Sequence, residues 1–435
     1  VGKLMDDLAF PVFIMLLLLG SNLASTRLLY QNRDLLNNFA KKIGSQDHPK
    51  RALYLTDTLR DKNGVSNSLS GKLKDIQDRD LPIDFLVCHD DLPSEPHLHV
   101  VKPITTFAVP GYPQQPIRIP NLLEIARIFY EGGYDRVVCS TEGPMALVSM
   151  FLKYMFNVPS YFFMHTDWVD FIKHTTGLDQ HQSDRVRRAL RTLYHQYEGV
   201  FVLNTDHQAW LTGPHMELSD NQVHLTAHHT QAKKSNVTPI KKSSLFSDAT
   251  DETPILFLAC RLSREKGIFD LPEIMREAKK IIPDLKLVIA GTGPAEQALK
   301  DALPEAVFLG WADKDMLASC YSGLDLFVFP SRFDTFGNVI LESFVHGMPA
   351  IAYNCKGPKD IIQHKKSGLL VSDTQNMSEQ IAAYFQESDA YRQSMSIQSI
   401  QRSADYRAQP IMDKFISDLG LSIEEEAAMD TVVNI

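Results

Sequence analysis

Short apolar runs alternate with helix-length amphipathic stretches along most of the chain. The first series starts at residues 52–56 (ALYLT) and continues through 83–88 (IDFLVC), 136–140 (RVVCS), 160–164 (SYFFM) and 200–203 (VFVL). The second starts at 255–259 (ILFLA) and continues through 286–290 (KLVIA), 307–309, 324–329 (LDLFVF) and 350–353. Residues 121–131 and 144–155 read as intervening helices. Near-continuous apolar runs separated by helices predict strands buried on both faces, the pattern of parallel sheets covered by helices. Two such series predict two Rossmann-like domains. Residues 231–253 are polar and without periodicity, and read as the linker between them. The expected organisation is a helical extension at 1–48, a first domain at 49–230 and the linker at 231–253. A second domain follows at 254–385, then helices and an acidic tail at 386–435.

The run at residues 8–20 (LAFPVFIMLLLLG) is apolar for 13 positions, short of the ~20 needed to span a bilayer. Asp6 and Asp7 precede it and no small-residue cleavage site is evident, which disfavours a signal peptide. It is expected to be a buried or interface helix; the second reading is a membrane-embedded remnant of a longer protein. At 435 residues the chain has room for two or three domains. Its 44% apolar and 22% charged residues exclude a mostly disordered chain. A net charge of −9 gives nucleic-acid binding no global electrostatic support. The five cysteines form no C-x-x-C pair, so neither zinc nor a disulfide framework is expected and a reducing, cytoplasmic setting fits. His224, His228 and His229 lack a nearby carboxylate or Cys, so no metal site is expected there.

Chemistry concentrates after two strands of the second series. Residues 330–342 read PSRFDTFGNVILE. Pro330 ends a buried strand and Gly337 opens a helix, whose unpaired N–H groups favour anions. Asp334 lies just before that start, where a carboxylate accepts hydrogen bonds from sugar hydroxyls. Glu342 lies farther along the helix, placed to accept from a ribose. Taken singly, each would serve as an ordinary helix-start acid. Residues 259–267 read ACRLSREKG and follow the first strand of the second series, at the sheet edge where open α/β sheets bind ligands. Arg261 and Lys266 flank this loop, Gly267 is expected to start the next helix, and the two cations can neutralise a diphosphate. Residues 291–296 (GTGPAE) hold Glu where a dinucleotide fingerprint needs a third Gly, which disfavours a dehydrogenase.

The combination of R-x-x-x-x-K-G, Gly291-Thr-Gly293, Phe308-Leu-Gly310-Trp and Asp334…Glu342 resembles glycosyltransferase family 4. Asp334-Thr-Phe-Gly-Asn is similar to its mannosyl- and sulfoquinovosyl-transferase subset. The loop containing Asn63-Gly64-Val resembles the family's N-terminal G-V loop. Thr141-Glu-Gly-Pro144, His165-Thr-Asp167-Trp and Tyr194-His195 resemble further elements of that subset. Residues 223–230 (VHLTAHHT) stand where the family usually carries G-V-D.

The resemblance implies a GT-B enzyme, two Rossmann-like domains facing a central cleft. It implies retaining transfer from a UDP- or GDP-sugar to a lipid or saccharide acceptor, with no metal or other cofactor. Arg261, Lys266, Asp334 and His165 would be catalytic. Gly64, Gly291, Gly293, Phe336, Gly337, Asn338 and Glu342 would hold the donor. A nucleotide-sugar 2-epimerase, or a GT-B scaffold that binds nucleotide-sugar without turnover, would use the same fold. The apolar run and the face carrying Arg185, Arg188 and Arg191 add an expected peripheral contact with the inner face of the cell membrane.

Overall fold

The computed structural model describes residues 50–61, 63–109, 112–176, 179–230 and 237–422, and most positions between 11 and 44. They form two compact units. The first comprises residues up to Phe163, Tyr194–Val200 and Asp413 onward; the second comprises Met164–Leu193 and Phe201–Met412.

In chain order the first series contains β1 (Ala52–Thr56), β2 (Ile83–Cys88), β3 (Leu98–Val101), β4 (Pro103–Val109) and β5 (Tyr112–Pro120). It continues with β6 (Arg136–Cys139), β7 (Ser160–Phe163), β8 (Gly199–Val202) and β9 (Val223–Leu225). The sheet order is β3-β2-β1-β6-β7-β8-β9, and the unit boundary falls inside β8. From β3 to β7 neighbouring strands run parallel. Every residue of β1 and β2 is buried, in keeping with their mostly apolar sequence; the charged exception, Asp84 of β2, is paired with Arg51 and accepts from the Tyr134 hydroxyl. Strands β4 and β5 form a separate antiparallel hairpin. It departs from the sequence expectation, which had no strand there. Pro103, Pro113, Pro116 and Pro120 and the polar pair Gln114-Gln115 erase any apolar run.

The second unit holds β10 (Ile255–Ala259), β11 (Lys286–Ala290), β12 (Val307–Gly310), β13 (Leu326–Phe329), β14 (Ala350–Tyr353) and β15 (Gly368–Val371). Their order is β12-β11-β10-β13-β14-β15, all parallel. The chain builds outward from β10 to β12, returns, and builds the other way from β13. A crevice therefore opens between the β10 and β13 loops, where ligands of such sheets bind. Alternation along β10 serves both faces. Leu256 and Leu258 join a core with Ile274, Ile289, Val328 and Ile351, while Phe257 turns its ring to Tyr321 on the other side, 5.3 Å between centroids. Helices that follow are started by side-chain caps. Asp313 accepts from Met316 N–H and Asp373 from Asn376 N–H, both at 2.8 Å.

The described part of the expected linker, residues 237–253, packs into the second unit. Lys242 is buried, donating to both carboxylate oxygens of Asp325 at 2.7 Å and to the carbonyls of Asp251 and Thr253. At the far end, the helix Ala408–Asp418 passes into the first unit at Asp413, which pairs with Arg79. Of the 8–20 run, residues 8–10, 12, 16 and 19 lie outside the described residues, as does the acidic stretch 424–426. Phe13, Leu17 and Leu18 are exposed rather than buried. Among the described residues no helix is long and apolar enough to cross a membrane.

Candidate active site

The site is built from loops at the C-terminal edge of the second sheet. Arg261 lies two positions beyond β10 and is exposed. Cys260 N–H donates to the Ala290 carbonyl at 3.1 Å and Leu262 N–H to the Thr292 carbonyl at 3.0 Å, so the loops after β10 and β11 run side by side. Gly291 makes this possible. Its φ is +127°, and a Cβ there would lie 1.9 Å from the Cys260 carbonyl oxygen. Gly293 follows in the same loop.

Residues Arg264–Lys266 form a 3₁₀ turn that ends at Gly267, and the next α-helix begins only at Leu271. Gly267 is the N-cap of a second 3₁₀ turn, Ile268–Asp270, that runs straight into that α-helix, so it starts the next helical run as expected. It adopts φ +68°, and a Cβ would stand 1.9 Å from the Pro330 carbonyl oxygen. The β10 loop thus lies directly on the end of β13, and Ser331 Oγ donates to the Glu265 carbonyl at 3.2 Å. This approach brings Lys266 Nζ to 2.5 Å from Asp334 Oδ2, with the side chains 30% and 18% exposed. Burial works against the ammonium, but the Asp334 carboxylate outweighs it and holds the Lys266 pKa above its ordinary value.

Gly337, at φ +98°, precedes the helix Asn338–Val345, and no side chain caps it. Ile340 N–H donates to the Gly337 carbonyl at 2.9 Å and closes the first turn; a helix start of this kind favours anions in general. Phe336 is buried, with its ring edge-on to His228 and to Tyr406. Glu342, farther along, accepts from the Tyr321 hydroxyl at 3.4 Å; burial raises its pKa. His165 is buried in the same unit, and its carbonyl accepts from Thr335 Oγ1 at 2.7 Å. The structure therefore joins Lys266 to Asp334, and His165 to the segment carrying Asp334, Phe336, Gly337 and Asn338. Gly64 lies in the first unit, opening the helix Gly64–Arg79 behind the Asn63 cap, which accepts from Ser66 N–H at 2.7 Å.

Two clusters were not foreseen from the sequence, although Asp167 itself lies in the His165-Thr-Asp167-Trp segment. Asp167 Oδ2 lies 3.2 Å from His207 Nε2 and 3.3 Å from Lys356 Nζ, and Lys356 also meets Asp170 at 2.5 Å. Burial works to raise the Asp167 pKa, but the His207 hydrogen bond and the Lys356 charge outweigh it and hold the carboxyl well below its usual range. In the first unit Asp57, directly after β1, accepts from Thr141 Oγ1 at 2.6 Å and from Met145 N–H at 3.3 Å. It joins the loops after β1 and β6, the switch point of that sheet, and burial pushes its pKa up to about 6. An acid at the end of a buried strand is the signal that marks it. Among the described residues no group of three or more His, Cys, Asp or Glu is placed to hold a metal ion.

Residues 253–387 match the family described as "Glycosyl transferases group 1". That segment is a glycosyltransferase group 1 domain. It contains Arg261, Lys266, Gly291, Gly293 and the whole 334–342 segment. A GDP-mannose-dependent alpha-mannosyltransferase of Corynebacterium glutamicum is 36% identical over 124 residues, covering 28% of this chain and 29% of that protein. A sulfoquinovosyl transferase of Arabidopsis thaliana is 30% identical over 124 residues, covering 28% and 24%. The chain thus spans under a third of the length of these curated relatives. Among solved structures, sucrose-phosphate synthase of Thermosynechococcus elongatus aligns with TM-score 0.66 at 18% identity, over 85% of this chain and 99% of that one. Anabaena HepE in complex with UDP and glucose aligns with TM-score 0.64 at 16% identity, over the same 85% and 99%. These neighbours give the fold around the group 1 domain: GT-B, with a parallel Rossmann-like sheet in each unit.

Proposed function

We propose that this chain is a retaining glycosyltransferase that moves a sugar from a GDP- or UDP-sugar to a lipid or saccharide acceptor. The observation that carries this reading is the Lys266–Asp334 pair across the β10/β13 switch point, beside the helix start at Asn338. As the bond to the donor sugar breaks, the diphosphate gathers negative charge. Arg261, Lys266 and the helix N–H groups would stabilise that charge more in the transition state than in the ground state. Asp334 keeps Lys266 charged and has a second oxygen for a sugar hydroxyl. His165 would meet the sugar. The relative named for GDP-mannose makes that donor the first to try.

Purified protein challenged with a panel of GDP- and UDP-sugars should be stabilised by one of them, by ~2.7 kcal/mol at 100 times its Kd. Mass spectrometry with saccharide and lipid acceptors should then detect a glycosylated product. Because the proposed cations are side chains, the product should still form in EDTA. Failure of every donor to bind or react would remove the reading, and sugar interconversion without an acceptor would favour an epimerase. We also propose a peripheral contact with the inner face of the cell membrane, supported by the exposed apolar residues near the start of the chain.

A further inference from the structure

The imidazole of His165 lies parallel to that of His228, with centroids 5.2 Å apart and an interplanar angle of 9°. Phe336 meets His228 edge-on, 5.2 Å away at 84°. The three side chains are 5%, 7% and 3% exposed. One residue before Phe336, Thr335 donates to the His165 carbonyl at 2.7 Å, and the Thr335 carbonyl accepts from Asn204 Nδ2 at 2.7 Å. All of these residues belong to the second unit. Thr335 thus holds the His165 backbone, and His228 packs on its ring.

A histidine ring has a broad, roughly two-fold torsion about its last bond, so packing must define its plane. Stacked and edge-on aromatic pairs supply that definition, because the ring quadrupoles favour particular geometries. We propose that His228 is a positioning residue for sugar transfer. Its ring sets the plane of the His165 imidazole, and Phe336 sets the plane of His228. The edge of His165 is thereby held ready for a sugar hydroxyl, without His228 touching the sugar. The inference rests on the glycosyltransferase reading. It concerns a segment, 223–230, where this chain departs from the resemblance, so it is a property of this sequence.

Four variants test it: His228→Phe keeps a flat ring, His228→Leu fills similar volume without one, His228→Asn is polar and ringless, and His228→Ala removes the side chain. Transfer rates at varied donor concentration, melting temperatures and the thermal shift induced by nucleoside diphosphate are measured for each. His228→Phe should keep kcat within about threefold of wild type. The Leu, Asn and Ala variants should lose roughly 10- to 100-fold in kcat, the scale of a misplaced reacting group. Their donor KM and diphosphate shift should stay at the wild-type values. Equal kcat in the Phe and Leu variants, or a kcat loss that merely follows melting temperature across the series, would overturn the proposal. Wild-type protein inactive with every donor would instead defeat the underlying reading, and this inference with it.

Discussion

Lys266 and Asp334 meet at 2.5 Å across the switch point of the second sheet. Neither is therefore an independent charge, since the carboxylate sustains the ammonium that a leaving diphosphate would use. Lys266→Ala should lower kcat/KM by roughly 10²- to 10³-fold, ~3–4 kcal/mol, as for other single electrostatic stabilisers. Asp334→Ala should also impair transfer, by freeing Lys266 to wander as well as by losing a hydroxyl acceptor. The double variant should fall short of the summed losses by ~1 kcal/mol, a modest coupling because both side chains are partly exposed. Additive losses across the four proteins would mean that the pair does not act as a unit.

Arg261 behaves differently because its side chain is exposed and makes no hydrogen bond or ion pair among the described residues. Arg261→Ala should leave the melting temperature unchanged, since no internal contact is lost. It should weaken donor binding and slow transfer. Arg261→Lys should recover only part of the loss, because a lysine cannot make the paired contacts of a guanidinium to phosphate. A variant with wild-type kinetics would place Arg261 outside the donor site.

Lys72 offers a test that needs no substrate. It is buried in the first unit, with its ammonium 3.9 Å from the Phe163 ring, 4.1 Å from Phe415 and 5.3 Å from Tyr54. Burial lowers its pKa to about 7. A drop of that size from the unfolded value near ~10.4 represents ~5 kcal/mol, whereas the rings return ~1 kcal/mol each, so desolvation wins. Between pH 7 and ~10.4 the unfolded chain binds the additional proton, and stability must rise with pH across that window. Lys72→Met, which carries no proton, should be the more stable protein at pH 7, and the gap should close by about pH 10. Thermal melts that show a gap independent of pH would mean the buried amine does not titrate there.

The central strands were legible because burial on both faces leaves a near-continuous apolar run, as in β1 and β10, and in β2 despite Asp84. Strand β3 was not: its two middle residues are only half-buried. The signals for Arg261, Lys266 and Asp334 were local, because each sits in a short loop directly after a recognisable strand. Sequence periodicity carries no information on which distant loops meet. Lys356 meets Asp167 across 189 positions, and His228 stacks on His165, 63 positions earlier in the chain. Gly267 shows a subtler limit. It starts the next helical run as expected, but its close approach to Pro330 leaves no mark in the sequence.

Membrane contact is the remaining proposal, and the structure shifts its physical basis. Arg185, Arg188 and Arg191 are the cations expected to meet headgroups, but Arg191 is engaged with Glu217 and with the Met216 carbonyl. Only Arg185 and Arg188 of that face are exposed. The apolar evidence is stronger. On the helix Arg33–Lys42, Leu35 and Phe39 are 67% and 62% exposed, and the cap residue Ile43 is 64% exposed. Spacing of four puts them on one stripe. Lys41 and Lys42 lie in the last turn of that helix, as in helices that rest in a lipid interface. The segment is secured on the first unit by Tyr30, whose ring lies 5.1 Å from that of Phe156. Apolar burial therefore dominates, and salt should weaken binding only in part even though it screens charges beyond ~8 Å. The protein should co-sediment with anionic vesicles at low salt and retain part of that binding at physiological salt. The double variant Leu35→Glu/Phe39→Glu should lower the bound fraction about tenfold or more, since each side chain forfeits ~1.5–3 kcal/mol of apolar burial. Its transfer to a soluble saccharide should be unchanged. Wild-type protein left in the supernatant with neutral and anionic vesicles alike, at low salt, would make a soluble acceptor the better reading.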